Sequence, residues 1–321
     1  MMKDMKNYIL FIWVCLLVAG CGNDENELTP SRADRDWYVI EDSDDPVGHE
    51  LYLLYQKYDI PVFVNDTIGQ EERGTDYYGN PIVYYCVLDM SYTVGASATG
   101  NGVKSRGYSL LQDVEDQFAG IAFLDKYLIP ALPEGVYFNS ILLLDSLYEM
   151  RMSSTGWGEE RKDLNVYKGV MTLAIGQGKA VAKMTPEEQV KHKGLILATL
   201  ALEQMQEEQL TDFYMVSYDS EKKFSYYQHV VNYAPNAAMP SAKCEVYGFL
   251  DYDSRYYAMN EGKDPSQWIY YTISKAEDLE DFVTAFFQYE EQEFKDKYAD
   301  YPLVLEKYEI IKELMEELGY V

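Results

Sequence analysis

Runs rich in β-branched and aromatic residues crowd the first half of this chain, and the clearest helix starts fall in the second half; that division limits the fold more than any other feature. Ile60-Pro-Val-Phe-Val64, Ile82 to Leu88, Val136 to Leu144 and Val166 to Ile175 all have the composition of strands, the last closed by Gly176 and Gly178. Residues 46–60 are expected to form a short helix feeding the first of these strands, and Leu110 to Leu128 has helical spacing up to Pro130. Thr185-Pro-Glu-Glu188 is a strong helix start, with Thr as the cap, Pro at the first position and Glu at the third. That helical region is expected to run to about Leu210, with a break near Gly194. Ser274-Lys-Ala-Glu277 repeats the capping pattern ahead of Phe282 and Phe286, and Pro302 opens a last helix ending at Gly319. Gly95 to Gly107 has the composition of a loop. Together these predict an α+β fold, with a small mixed sheet from the N-terminal half packed on helices from the C-terminal half.

The N-terminus decides where such a fold would sit. Lys3 and Lys6 precede an apolar run from Tyr8 to Gly20, which is too short for the roughly 20 residues of a spanning helix. A basic start, a short apolar centre and the small residues Val18, Ala19 and Gly20 directly before Cys21 make a secretory signal with a bacterial lipobox. Residues 1–20 are therefore expected to be a signal peptide. Cys21 is expected to be the lipidated N-terminus, carrying acyl chains of the palmitate kind, since stable anchoring takes more than one chain. The acidic stretch Gly22-Asn-Asp-Glu-Asn-Glu27 looks like an export tag to the outer face of the outer membrane. Residues 21–45 are expected to be a lipid-anchored flexible linker, leaving 46–321 as one domain.

The chain is 47% hydrophobic, enough to bury a core, and its 31 tyrosines suit half-buried positions and binding faces. With 54 acidic residues against 27 basic ones, the surface repels phosphate backbones, which excludes nucleic acid as a partner. It also repels anionic headgroups, so attachment to the membrane rests on the Cys21 lipid. Cys86 and Cys244 are the thiols left to the mature chain. An extracytoplasmic pair can oxidise where the spacing between them allows.

The order of several segments resembles a known family, the zinc metallohydrolase lipoproteins associated with energised (TonB-dependent) nutrient importers. The resemblance runs through Lys57 to Val64, then Phe123-Leu-Asp-Lys-Tyr-Leu-Ile-Pro130, the strand end Leu142 to Leu144 and Thr172-Leu-Ala-Ile-Gly176. It continues through the long helix after Thr185, Gly248-Phe-Leu250 and Glu280-Asp-Phe282. It implies a zincin-like metallopeptidase architecture and, as partners, a TonB-dependent importer with its binding lipoprotein. It also implies a His-Glu-x-x-His motif on the long helix, where residues four apart face one zinc and the Glu is the general base.

Here that helix reads Leu202-Glu203-Gln-Met-Gln206. The base position is kept as Glu203, while the ligand positions hold Leu202 and Gln206. Leu has no lone pair to donate and Gln offers only a neutral amide oxygen. Thr284 stands where the resemblance implies a third, acidic ligand, with Glu280 and Asp281 close by as stand-ins. Only His49, His192 and His229 are present, and no two share a helix turn. The expectation is a surface lipoprotein with a metallopeptidase-like fold, no cofactor, and a binding or accessory part in nutrient import. Its alternatives are an active zinc metallohydrolase with other ligands, or a structural or adhesin lipoprotein. Asp251-Tyr-Asp253-Ser-Arg255-Tyr256 starts like a calcium loop but lacks the required glycine. Gly100-Asn-Gly-Val-Lys-Ser105 fails the phosphate-loop spacing.

Overall fold

The computed structural model describes residues 35–88, 103–152, 158–228, 230–233, 243–253, 261–263 and 269–320. The expected signal peptide and Cys21, together with most of the expected linker, lie outside the described residues, as do His229, Arg255 and Tyr256. The chain divides into two compact units: residues 38–66 with 88–321, and residues 67–87 with the N-terminal segment as far as Trp37.

The larger unit opens with helix α1 (Pro46–Tyr58). Asp45 caps it by accepting from the Gly48 amide at 2.8 Å, Pro46 takes the first turn, and Asp59 ends it in the left-handed region at φ 56°. Val47, Leu51 and Leu54 recur at helical spacing and are buried. Strand β1 (Val62–Phe63) follows and lies parallel to the N-terminal half of the long strand β5 (Ser140–Met152), with Val62 opposite Ile141. On its other side this half of β5 pairs in parallel with β8 (Thr172–Ile175), which pairs antiparallel with β7 (Val166–Lys168). Ser140 to Leu144 are all buried, as expected for a parallel strand covered on both faces. The C-terminal half of β5 pairs antiparallel with β4 (Val103–Leu110) and β6 (Glu159–Asp163). One strand is thus the middle of two ladders in a mixed, six-stranded sheet.

Helix α2 (Val114–Phe123) passes into a π-helical turn over Leu124–Leu128 and a 3₁₀ turn over Ile129–Ala131, where Pro130 sits. After α3 (Gly178–Val181), helix α4 (Pro186–Gln204) begins on the full Thr185–Glu188 capping box. Helix α5 (Thr211–Val216) precedes two small antiparallel pairs, β9 (Tyr218–Asp219) with β10 (Phe224–Ser225), and β11 (Val230–Tyr233) with β12 (Ile269–Tyr271). Helix α6 (Lys275–Gln288) starts on the Ser274–Glu277 box, and α7 (Glu291–Lys297) and α8 (Pro302–Glu317) complete the unit. The architecture is mixed α+β. Ile141, Leu173, Leu197, Phe282 and Tyr308 belong to one buried core, in which truncating a residue such as Phe282 to Ala costs about 3–5 kcal/mol.

Three local expectations are corrected. Val166 to Ile175 is a hairpin, not one strand: the chain turns after Lys168, and the Gly169 amide donates to the Thr172 carbonyl at 2.9 Å. The expected loop up to Gly107 is strand β4 from Val103 onward. Helix α4 runs unbroken through Gly194, because α6 passes so close that a Cβ there would lie 3.0 Å from the Phe287 carbonyl oxygen.

The smaller unit is a two-stranded hairpin of β2 (Thr67–Thr75) and β3 (Pro81–Val87). Its turn is held by Asp76, which accepts from the amides of Tyr78 and Asn80 at 2.8 and 2.9 Å. Gly69 leaves room for the Trp37 ring, which an added Cβ would meet at 2.0 Å. Tyr77 and Tyr78 are exposed at its tip.

Candidate functional site

Helix α4 ends at Gln204, since Met205 is already extended at ψ 139°. Leu202 and Glu203 occupy its last turn, whereas Gln206 lies beyond it and leads a separate 3₁₀ turn over Glu207–Leu210. The expected helix to Leu210 is therefore two pieces, and positions 202 and 206 do not share a helix face. Leu202 packs half-buried against the core. Thr284 is half-buried on α6 and does not line the cavity around Glu203. The residues at these positions do not fit a zinc centre: Leu202 has no donor atom, Gln206 lies past the helix end and Thr284 does not line the cavity. Among the described residues, no three His, Cys, Asp or Glu side chains are grouped to hold a metal.

The two described histidines are separately accounted for. His192 is buried on α4 beside the Phe123 ring at 5.4 Å, with Nε2 unpartnered, and burial pulls its pKa down to about 4. His49 pairs through Nδ1 with Asp42 at 2.7 Å, and that hydrogen bond raises its pKa. Cys86 and Cys244 are free thiols. Burial, helped by Glu245, pushes Cys244 far above the usual thiol range.

The structure does bring Glu203 and Glu280 together, along one side of a cavity of about 420 Å³. Helices α4 and α6 pack side by side with Gly194 against Phe287, and their other ends bring the two carboxylates to the same opening. The strand part of the lining comes from register. Glu149 on β5 lies opposite Arg106 on β4 and Lys162 on β6, so the three form one row across the sheet, and Arg151 follows two residues on, on the same face. Glu149 is 3% exposed and bonded to Arg151, with Arg106 Nε at 3.7 Å. The Arg106 guanidinium also lies over the Tyr167 ring at 4.5 Å.

Glu203 still reaches solvent, but the cavity walls take away part of its water. That desolvation raises its carboxyl pKa, with Lys168 and Arg106 pulling the other way. Its place in the last turn of a helix adds unfavourable interaction with the helix dipole. Neither Glu203 nor Glu280 has a hydrogen-bond or ion-pair partner among the described residues. Sequence reasoning missed Arg106, Glu149, Arg151 and Lys162. The signal for two of them was the alternation Leu147-x-Glu149-x-Arg151, with charge on the face of a strand that its apolar neighbour buries.

A second charged cluster is closed. Lys307 on α8 and Asp278 on α6 are fully buried, with Nζ 2.6 Å from Oδ2. Tyr227 donates to the same oxygen at 2.6 Å, and the rings of Phe249 and Phe213 stand 4.4 and 4.8 Å from Nζ. Burial lowers the Lys307 pKa against the pull of Asp278, and raises that of Asp278 against the pull of Lys307.

Comparison of the chain with protein-family models, with curated proteins and with solved structures finds no match. Among the described residues no helix is long and apolar enough to cross a membrane.

Proposed function

We propose that this chain is a lipid-anchored protein of the bacterial outer membrane, facing the cell exterior. On this reading its metallopeptidase-like fold binds a ligand as an accessory component of TonB-dependent nutrient import and catalyses no hydrolysis. The lipobox at Cys21 supports the anchor, and the order of segments from Lys57 to Phe282 supports the family. The observation that carries the binding role is the cavity lined by Arg106 and Lys162 in which Glu203 and Glu280 make no hydrogen bond or ion pair among the described residues. Its volume falls within the range of small-molecule sites. The residues at positions 202, 206 and 284 give no support to zinc hydrolysis.

Two measurements test this reading. Labelling cells with a clickable fatty acid should tag the wild type and leave Cys21→Ala untagged; equal label on both ends the lipoprotein claim. The purified mature protein should carry no stoichiometric zinc, and chelators should leave its melting temperature unchanged. A metal held only by the folded state at 100 times its dissociation constant would add about 2.7 kcal/mol, a shift of several degrees for a chain of this size. About one zinc per chain by elemental analysis would restore the hydrolase.

A further inference from the structure

We infer that the cavity between the strands and the helices takes a small zwitterion, with its carboxylate on the Arg106–Lys162 wall and its ammonium between Glu203 and Glu280. This rests on the proposal that the cavity is a ligand site and adds the chemistry of the ligand.

The strand side carries Arg106, Arg151 and Lys162 together with Glu149 and Asp163, and so has one more base than acid, whereas the helix side carries only Glu203 and Glu280. Cross-strand register builds the basic wall, and the ends of two packed helices present the acidic one. Glu149 is spent on Arg151, and Arg106 meets it only at 3.7 Å, so Arg106 keeps donors to spare. Glu149 is taken up by Arg151 and Arg106, which leaves Lys162, Glu203 and Glu280 as the charges of this lining without a hydrogen bond or ion pair among the described residues. Water meets each charge separately, whereas one molecule with an anionic and a cationic end meets both walls at once. An anion alone would leave the two carboxylates uncompensated, and a cation alone would leave Arg106 and Lys162 so. Desolvation raises the Glu203 pKa, against the pull of Lys168 and Arg106.

The probes are ω-amino acids from 3-aminopropanoate to 8-aminooctanoate, titrated into the purified mature chain by calorimetry, with hexanoate and hexylamine as single-charge controls. At least one member of the series should bind, and the optimal chain length reports the span between the walls. Both controls should bind at least tenfold more weakly, since each loses a charge-assisted contact. Arg106→Gln, Glu203→Gln and Glu280→Gln, on three different elements, should each weaken the best probe about tenfold or more. Glu293→Gln, exposed on α7, should not. Controls that bind as well as the amino acids would overturn the inference, as would a series with no measurable binding at millimolar concentration. Tight binding of one control would leave a binding protein standing while removing the zwitterion. A failed acylation test would leave these titrations interpretable.

Discussion

Helix α6 serves two charged regions that solve opposite problems. Asp278 goes into the sealed cluster with Lys307 and Tyr227, where every neighbour is protein and the ammonium is ringed by aromatic side chains. Glu280, two residues on, opens onto the cavity with no protein partner. The sealed pair bears a large desolvation cost that is offset only while both members are present. The open carboxylates keep part of their hydration and add little to stability, which leaves them available to something else. The two charges of this helix differ in burial and pairing, not in residue type or in distance along the helix.

The largest effect should come from breaking the sealed pair. Lys307→Met leaves Asp278 buried without its partner and should cost about 3–5 kcal/mol in a denaturant titration. Adding Asp278→Leu should recover much of that loss, because an apolar replacement of both members removes the orphaned group. A loss under about 1 kcal/mol for the single variant would deny the pair its structural part.

A smaller effect is expected at Asp281, which stands next to Glu280 on α6. Burial, then repulsion from Asp278, Asp251, Glu280 and Glu277, pushes its pKa up to about 7. Between about pH 4 and 7 the folded chain keeps a proton that the unfolded chain has released. This group's contribution to stability therefore falls as pH rises through that window. Asp281→Asn carries no such proton, so its melting temperature should gain on the wild type between pH 4 and 7.5. A constant gap between the two across that range would refute the shift.

The smallest effect belongs to the cavity. Glu203→Gln and Glu280→Gln should each change stability by no more than about 0.5 kcal/mol. Glu203→Gln should tend to stabilise, since it removes a carboxylate from a helix C-terminus. A loss above about 1 kcal/mol at either site would move that residue from the open class to the sealed one.

What could be read from the sequence was what local chemistry decides. The Thr185–Glu188 and Ser274–Glu277 boxes satisfy amides within four residues, so their meaning needs no distant partner, and both helices begin where expected. Gly194 misled because a glycine that breaks a helix and one that admits a neighbouring helix look alike until Phe287 is seen beside it. The end of α4 carried no glycine or proline, so Gln206 was assigned to a helix that stops at Gln204. The strand lining is invisible in the sequence because Arg106, Glu149 and Lys162 meet only through pairing between separate strands, and Arg106 lies in a stretch with loop composition.

Strand β5 enters the core as Ser140 to Leu144 and leaves it carrying Glu149 and Arg151 into the cavity. Its backbone is hydrogen-bonded on both sides along both halves. The cavity's strand wall is therefore continuous with the part of the molecule that opens least, and its amides should exchange with solvent about as slowly as those of the core. The helix wall is held by other means: Glu203 sits one residue from the end of α4, where the Gln204 side-chain amide donates to the Tyr320 hydroxyl at 2.8 Å and to the Leu200 carbonyl at 3.1 Å. The two sides of the cavity are thus anchored differently, one through main-chain ladders and the other through side-chain contacts at a helix end.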